Sequence, residues 1–235
     1  MKAQERLISA QKLANKEDSY EEALNEFIWF HNYALEETPS LYGVRLSFAL
    51  AYWVELGEKY PKAKQALEEI RDNKTIALIN GMGDHKLFKD VVAINLELSS
   101  ETRTHSLFVK LLSTQPLLAE SCSKIALGAI VKSGDFHLAA NYIPDPEKLV
   151  ANYCQTLNED ILDLNSFAKK SRTAIRKAYI HIYADRVKLI VSILNGIGQS
   201  KEASHIVSLA CKLIESATVK KSVSQALKAD ALNAN

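Results

Sequence analysis

The residues of this chain that could do chemistry are few and scattered. The six histidines are His31, His85, His105, His137, His181 and His205. None stands in a His-Glu-x2-His string, which would bring two imidazoles to one helix face for zinc. Glu202-Ala203-Ser204-His205 is one Glu-x2-His, whereas a di-iron bundle needs two, plus two further carboxylates. His181 and Asp185 are one helical turn apart, which suits an ordinary hydrogen bond as well as a metal pair. Gly81-Met82-Gly83 and Gly196-Ile197-Gly198 lack the third glycine and the Lys-Ser/Thr that a phosphate loop requires. No Gly-x-Ser-x-Gly elbow is present. Cys122, Cys154 and Cys211 are odd in number and far apart, so they read as reduced, buried thiols of a cytoplasmic protein and not as a disulfide framework or zinc site. The expectation is therefore no catalytic residue, no metal and no cofactor. An enzyme with a spatially assembled His/Asp site stands as the alternative, since such a site leaves no linear trace.

The patterns that do emerge suit binding. Residues 166–188 carry Lys169, Lys170, Arg172, Arg176, Lys177, Arg186 and Lys188 against the single acid Asp185, a net +6. Arg172, Arg176, Tyr179, Tyr183 and Arg186 recur at steps of four, three, four and three, so they share one helical stripe. Guanidinium forks on carboxylate or phosphate, with rings for stacking, are the chemistry of such a stripe. Nine aromatics fall within residues 27–60. A helix over 40–57 would place Tyr42, Arg45 and Tyr52 near one face and Leu46, Leu50 and Trp53 near another. Tyr and Arg are favoured interface anchors, so Tyr42, Arg45 and Tyr52 are expected to line a concave groove.

The elements that must position these residues are helices. Period-two alternation is absent, and Gly (8) and Pro (5) are scarce in 235 residues. Helices are expected at 3–15, 19–37, 40–57, 60–72, 84–98, 101–114, 116–133, 135–142, 145–163, 166–196, 199–214 and 217–231. Ser19 with Glu22 forms a capping-box signature. Ser40 follows Pro39 as a cap, Gly57 ends a helix, Pro61 and Asp145-Pro146-Glu147 begin two more, and Gly196 with Gly198 close the long late helix. The longest apolar run, Ile125 to Val131, is far short of the ~20 residues of a membrane span, and no secretory apolar segment follows Met1.

A local pattern recurs among the helices. Tyr20-Glu21-Glu22-Ala23 with Phe27, and Tyr60-Pro61-Lys62-Ala63 with Leu67, place an aromatic, a small residue three later and a large one four later, at an offset of 40. Phe136-His137-Leu138-Ala139 with Ile143 repeats it, as does Ser200-Lys201-Glu202-Ala203 with Val207 without the aromatic. Small Ala23, Ala63, Ala139 and Ala203 would let paired helices approach closely. This pattern resembles the second helix of a tetratricopeptide (TPR) repeat, most clearly over 1–75 and more weakly over 116–143 and 180–215. Trp53-Val54-Glu55-Leu56-Gly57-Glu58-Lys59-Tyr60 also matches the family's Trp-x2-Leu-Gly-x2-Tyr string. The resemblance implies one all-α domain over 1–235, an irregular α-solenoid of antiparallel hairpins curled toward a bundle, binding a protein or peptide non-catalytically.

Charge refines the partner. Residues 1–101 hold 12 basic and 17 acidic residues, and the remainder 17 and 11, so a −5 half precedes a +6 half. Near neutrality overall argues against a general nucleic-acid binder, and a dipolar surface can orient an acidic protein partner. An immunity or antitoxin type of inhibitor that plugs a toxin is a specific version of this reading. Exchange of Arg172 and Arg176 for Glu is expected to abolish partner capture.

Overall fold

The computed structural model describes residues 2–228. Among them are thirteen α-helices, several short 3-10 turns and no strand. The chain is therefore all-α. Packing divides the chain into two compact units, residues 1–129 and 130–235.

The first unit contains α1 (Ala3–Leu13), α2 (Tyr20–Glu37), α3 (Tyr42–Arg45), α4 (Phe48–Lys59), α5 (Pro61–Ile79), α6 (His85–Glu97) and α7 (Glu101–Thr114). Neighbours in sequence pack together: α1 on α2, α4 on α5, α5 on α6 and α6 on α7. Second neighbours meet as well, α2 with α4, α4 with α6 and α5 with α7. The buried face of α2 runs Ala23, Phe27, Phe30 and Ala34, the three-and-four spacing that puts apolar groups on one side. Trp53 of α4 stacks on Phe27 at 6.1 Å and donates its indole N–H to the Ala63 carbonyl at 2.8 Å. A buried indole thus keeps its one donor satisfied. Ala63 is fully buried, as are Ala23 and Ala139, and Ala203 nearly so. The small-residue positions all face into packed cores.

The helix expected over 40–57 is broken. A 3-10 turn at Pro39–Leu41 leads into α3, and Ser47 leaves helical geometry before α4 begins. The Ser47 hydroxyl donates back to the Gly43 carbonyl at 2.8 Å, a side-chain bond that competes with the helical ladder. Gly57 does not end α4, which continues to Lys59. A Cβ there would lie 3.0 Å from the Lys64 Cβ, so the glycine instead lets α4 lie against α5. Helix α5 runs to Ile79, beyond the expected 72. Ser19 makes no capping bond, and a 3-10 turn at Glu17–Ser19 feeds α2 instead.

Helix α8 (Pro116–Lys132) spans the boundary between the units. The second unit holds α9 (Phe136–Ala140), α10 (Pro146–Leu162), α11 (Arg172–Gly196), α12 (Ser200–Lys212) and α13 (Ala217–Lys228). Helix α11 is its axis: α9, α10, α12 and α13 all pack on it. Its buried residues Ile180, Ala184, Val187, Ile190 and Leu194 recur every three or four positions, with Tyr183 and Ile193 beside them. Asp145 caps α10 as expected, accepting from the Lys148 N–H at 2.9 Å. Gly196 is still helical, and a Cβ there would sit 2.0 Å from the Phe136 ring. It is the seat for Phe136, while Gly198, at φ 80°, turns the chain. Helix α11 starts at Arg172 instead of 166, because Phe167 is extended. Of the helix expected over 217–231, residues 229–231 lie outside the described residues.

Candidate functional site

The groove expected from Tyr42, Arg45 and Tyr52 is not assembled as such. Arg45 is 5% exposed, and its guanidinium faces inward. It pairs with Asp90 of α6 at 2.5 Å and donates to the His31 carbonyl of α2 at 3.2 Å. Lys74 of α5 takes the other Asp90 oxygen at 2.6 Å. Arg45 is thus a buried tie between helices and not a groove-lining anchor. A cation in a core cannot stay unpaired, and Asp90 is the partner that the fold supplies. Tyr42 is half-buried, flanked by Lys89 at 5.1 Å and Arg45 at 5.8 Å over its ring. Tyr52 lines a separate 260 Å³ pocket with Gln11, Asn15, Glu55 and Lys59.

The protonation of this cluster is set by its surroundings. Burial, then the charges of Arg45 and Lys74, lowers the His31 pKa to about 3. The ring is therefore neutral at pH 7, and its Nε2 lies 3.3 Å from an Arg45 nitrogen. Burial pushes the Asp90 carboxyl up, but the hydrogen bonds from Lys74 and Arg45 outweigh it and hold it below the usual range. Asp90 stays ionised, and the cluster carries one excess positive charge.

The stripe on α11 divides into parts with different roles. Arg172 donates to the Asn165 side chain and carbonyl at 3.0 and 2.9 Å and to the Phe167 carbonyl at 3.0 Å. It secures the turn before its own helix, so it is not a free anchor. Tyr183 is buried and donates to the Ala210 carbonyl of α12 at 2.8 Å. Burial and the nearby Cys154 raise its pKa, so it too serves the core instead of a partner. Tyr179 and Arg186 border a 150 Å³ pocket against α10, and the Arg186 guanidinium rests 5.0 Å over Tyr153. Arg176 opens on a different groove, of 380 Å³, between α11 and α13. There Thr173, Lys177, His181, Thr218 and Ser222 join it, and among the described residues no carboxylate lines it. Arg176 itself bonds the Thr218 hydroxyl.

The N-terminal third of α11 is an accessible basic surface. No residue from Arg172 to Tyr179 is buried. Lys169, Lys170, Arg172, Arg176 and Lys177 crowd its first turns and the 3-10 turn before it, with no acid between Leu164 and Asp185. A helix N-terminus carries partial positive charge and favours anions. Cations gathered there work against the fold's own electrostatics, a local conflict that characterises functional surfaces.

Among the described residues, no three His, Cys, Asp or Glu side chains gather to hold a metal ion, and no helix is long and apolar enough to cross a membrane. Cys122 and Cys154 are buried and Cys211 is half-buried, all three unbridged. Burial raises each thiol's pKa. No family model, no curated protein and no solved structure matches this chain.

Proposed function

We propose that this chain is a non-catalytic protein-binding scaffold, and that it takes an acidic segment of a protein partner on the basic face of α11 and α13. The observation that carries the reading is the groove of Arg176, Lys177 and His181 at the cation-rich start of α11, which no carboxylate among the described residues lines. An acidic partner would relieve the repulsion among these cations and complement the unfavourable dipole end. On the opposite wall the Ser222 hydroxyl donates to the Thr218 carbonyl at 3.2 Å and the Thr218 hydroxyl accepts from Arg176, so the cations are what the groove offers an acidic group. Arg172 and Tyr183 drop out as anchors, because their polar groups are spent internally.

For the first unit, we read the helices as degenerate TPR-like hairpins in a short solenoid. Sequential packing with second-neighbour contacts supports this. So does the meeting of the two aromatic positions of the 40-residue pattern: the Tyr20 and Tyr60 rings pack at 5.9 Å. The second unit, gathered around α11, is read as a bundle.

Capture from native lysate tests the proposal. Wild type and an Arg176→Glu/Lys177→Glu variant serve as baits, with circular dichroism confirming that both fold. A protein held by wild type and lost from the variant supports the reading if added salt weakens its binding. An identical captured set with both baits contradicts it.

A further inference from the structure

Helices α5 and α7 of the first unit enclose a 250 Å³ pocket remote in sequence from the α11 surface. Arg71, Asp72 and Thr75 line it from α5, and Arg103, Ser106 and Lys110 from α7. The spacing explains the convergence. Arg71 and Thr75 are one turn apart, and Arg103, Ser106 and Lys110 lie at steps of three and four, so each set occupies one face of its helix.

Two guanidiniums meet on one carboxylate oxygen. Asp72 Oδ1 accepts from Arg71 Nε at 2.8 Å and from Arg103 Nη1 at 3.2 Å. The hydrogen bond from Arg71 holds the Asp72 carboxyl below the usual range, so it remains a single negative charge between two positive ones. Lys110 adds a third cation at the rim. The Arg71 side chain is only 5% exposed. Only its Nε has a hydrogen-bond partner, Asp72; its two terminal nitrogens have none among the described residues, and the residue lines the pocket. The hydroxyls of Thr75 and Ser106 donate to their own helices, to the Arg71 and Thr102 carbonyls at 2.9 and 3.0 Å. Asn95 of α6 also lines the pocket, its amide donating to the Thr104 hydroxyl at 3.0 Å, so the charged donors left to face a ligand are those of Arg71, Arg103 and Lys110.

A buried guanidinium with two idle nitrogens is costly unless something completes it. A group with two negative charges and several acceptor oxygens matches a net +2 with forked donors. We propose that this pocket is a phosphoryl-anion site, in which Arg71 at the floor and Arg103 and Lys110 at the rim hold a free phosphate or a phosphate monoester.

Isothermal titration calorimetry at pH 7.5 and constant ionic strength tests this, with three probes: inorganic phosphate, N-acetyl-phosphoserine amide and acetate. Binding of either phosphate probe, weakened about tenfold or more in Arg103→Gln/Lys110→Gln and unchanged in Lys16→Gln, supports the site. The tighter of the two phosphate probes identifies free anion or phosphorylated side chain as the source. Both rim residues are exposed, so their exchange leaves the fold intact where loss of buried Arg71 need not. Absence of binding by both phosphate probes overturns the proposal. So does acetate binding equal to phosphate, or a double variant that binds like wild type.

Discussion

Asp90 is the residue on which the first unit's polar interior turns. It answers two cations from two other helices, Arg45 at 2.5 Å and Lys74 at 2.6 Å. Removing one member of a buried pair strands the others, which costs about 3–5 kcal/mol. Asp90→Ala is expected to lower unfolding free energy by that amount in urea titration, and a loss under 1 kcal/mol would count against the tie. His31 adds a pH dependence. Its folded pKa of about 3 lies below the ordinary 6.5, so below pH 6.5 the unfolded chain binds a proton that the folded chain refuses. Stability is complete above that value and falls with acid, by about 2 kcal/mol from pH 7 to pH 5. Asp90, with its depressed pKa, acts in the same direction at lower pH. Urea titrations at the two pH values should show the fall in wild type and a smaller one in His31→Gln, which keeps an acceptor but does not titrate. Arg45 is where sequence reasoning went astray. An Arg beside Tyr residues suits an interface and suits a buried tie equally, and its partner Asp90 is 45 positions away, beyond any local pattern. Arg71 carries a sign readable in the sequence: it falls at a core register after Ala63 and Leu67, with Leu78 beyond, a cation on an apolar stripe.

Helices were legible because their signals are local. Asp145 before Pro146 and Pro61 at a first turn stand where capping chemistry places them. Errors came where a tertiary contact overrode the local rule. Gly57 looks like a helix stop by composition, but it sits inside α4, which runs on to Lys59, where α5 comes too close for a side chain. Gly196 is the last residue of α11, as expected, and makes such a close approach measurable. A methyl at 2.0 Å from the Phe136 ring cannot be accommodated without displacing α9 from the end of α11. Gly196→Ala is expected to cost about 1–3 kcal/mol, the range for overpacking. In Phe136→Ala, where the ring is gone, the same exchange should cost far less. A thermal-unfolding double-mutant cycle with no coupling between the two sites would refute the contact. The break at Leu46–Ser47 left no comparable signal, since neither residue is a strong helix breaker.

At the scale of the molecule, the all-helical class was legible from periodicity and from scarce Gly and Pro. The buried alanines were too, because a small residue at a repeated register has few uses other than close packing. Which cations stay free was not legible. A helical stripe records angle, whereas availability depends on what packs beside it. Tyr183 is covered by α12 while Arg176, two turns earlier, borders an open groove. The central claim is that this groove, and not the aromatic-rich start of the chain, receives a protein. Hydrogen–deuterium exchange of the full chain, alone and with the captured partner, tests it most directly. The account predicts partner-induced protection over residues 172–181 and 217–226, absent for Arg176→Glu/Lys177→Glu. Protection confined to residues 20–60, with the α11 start unchanged, would contradict it.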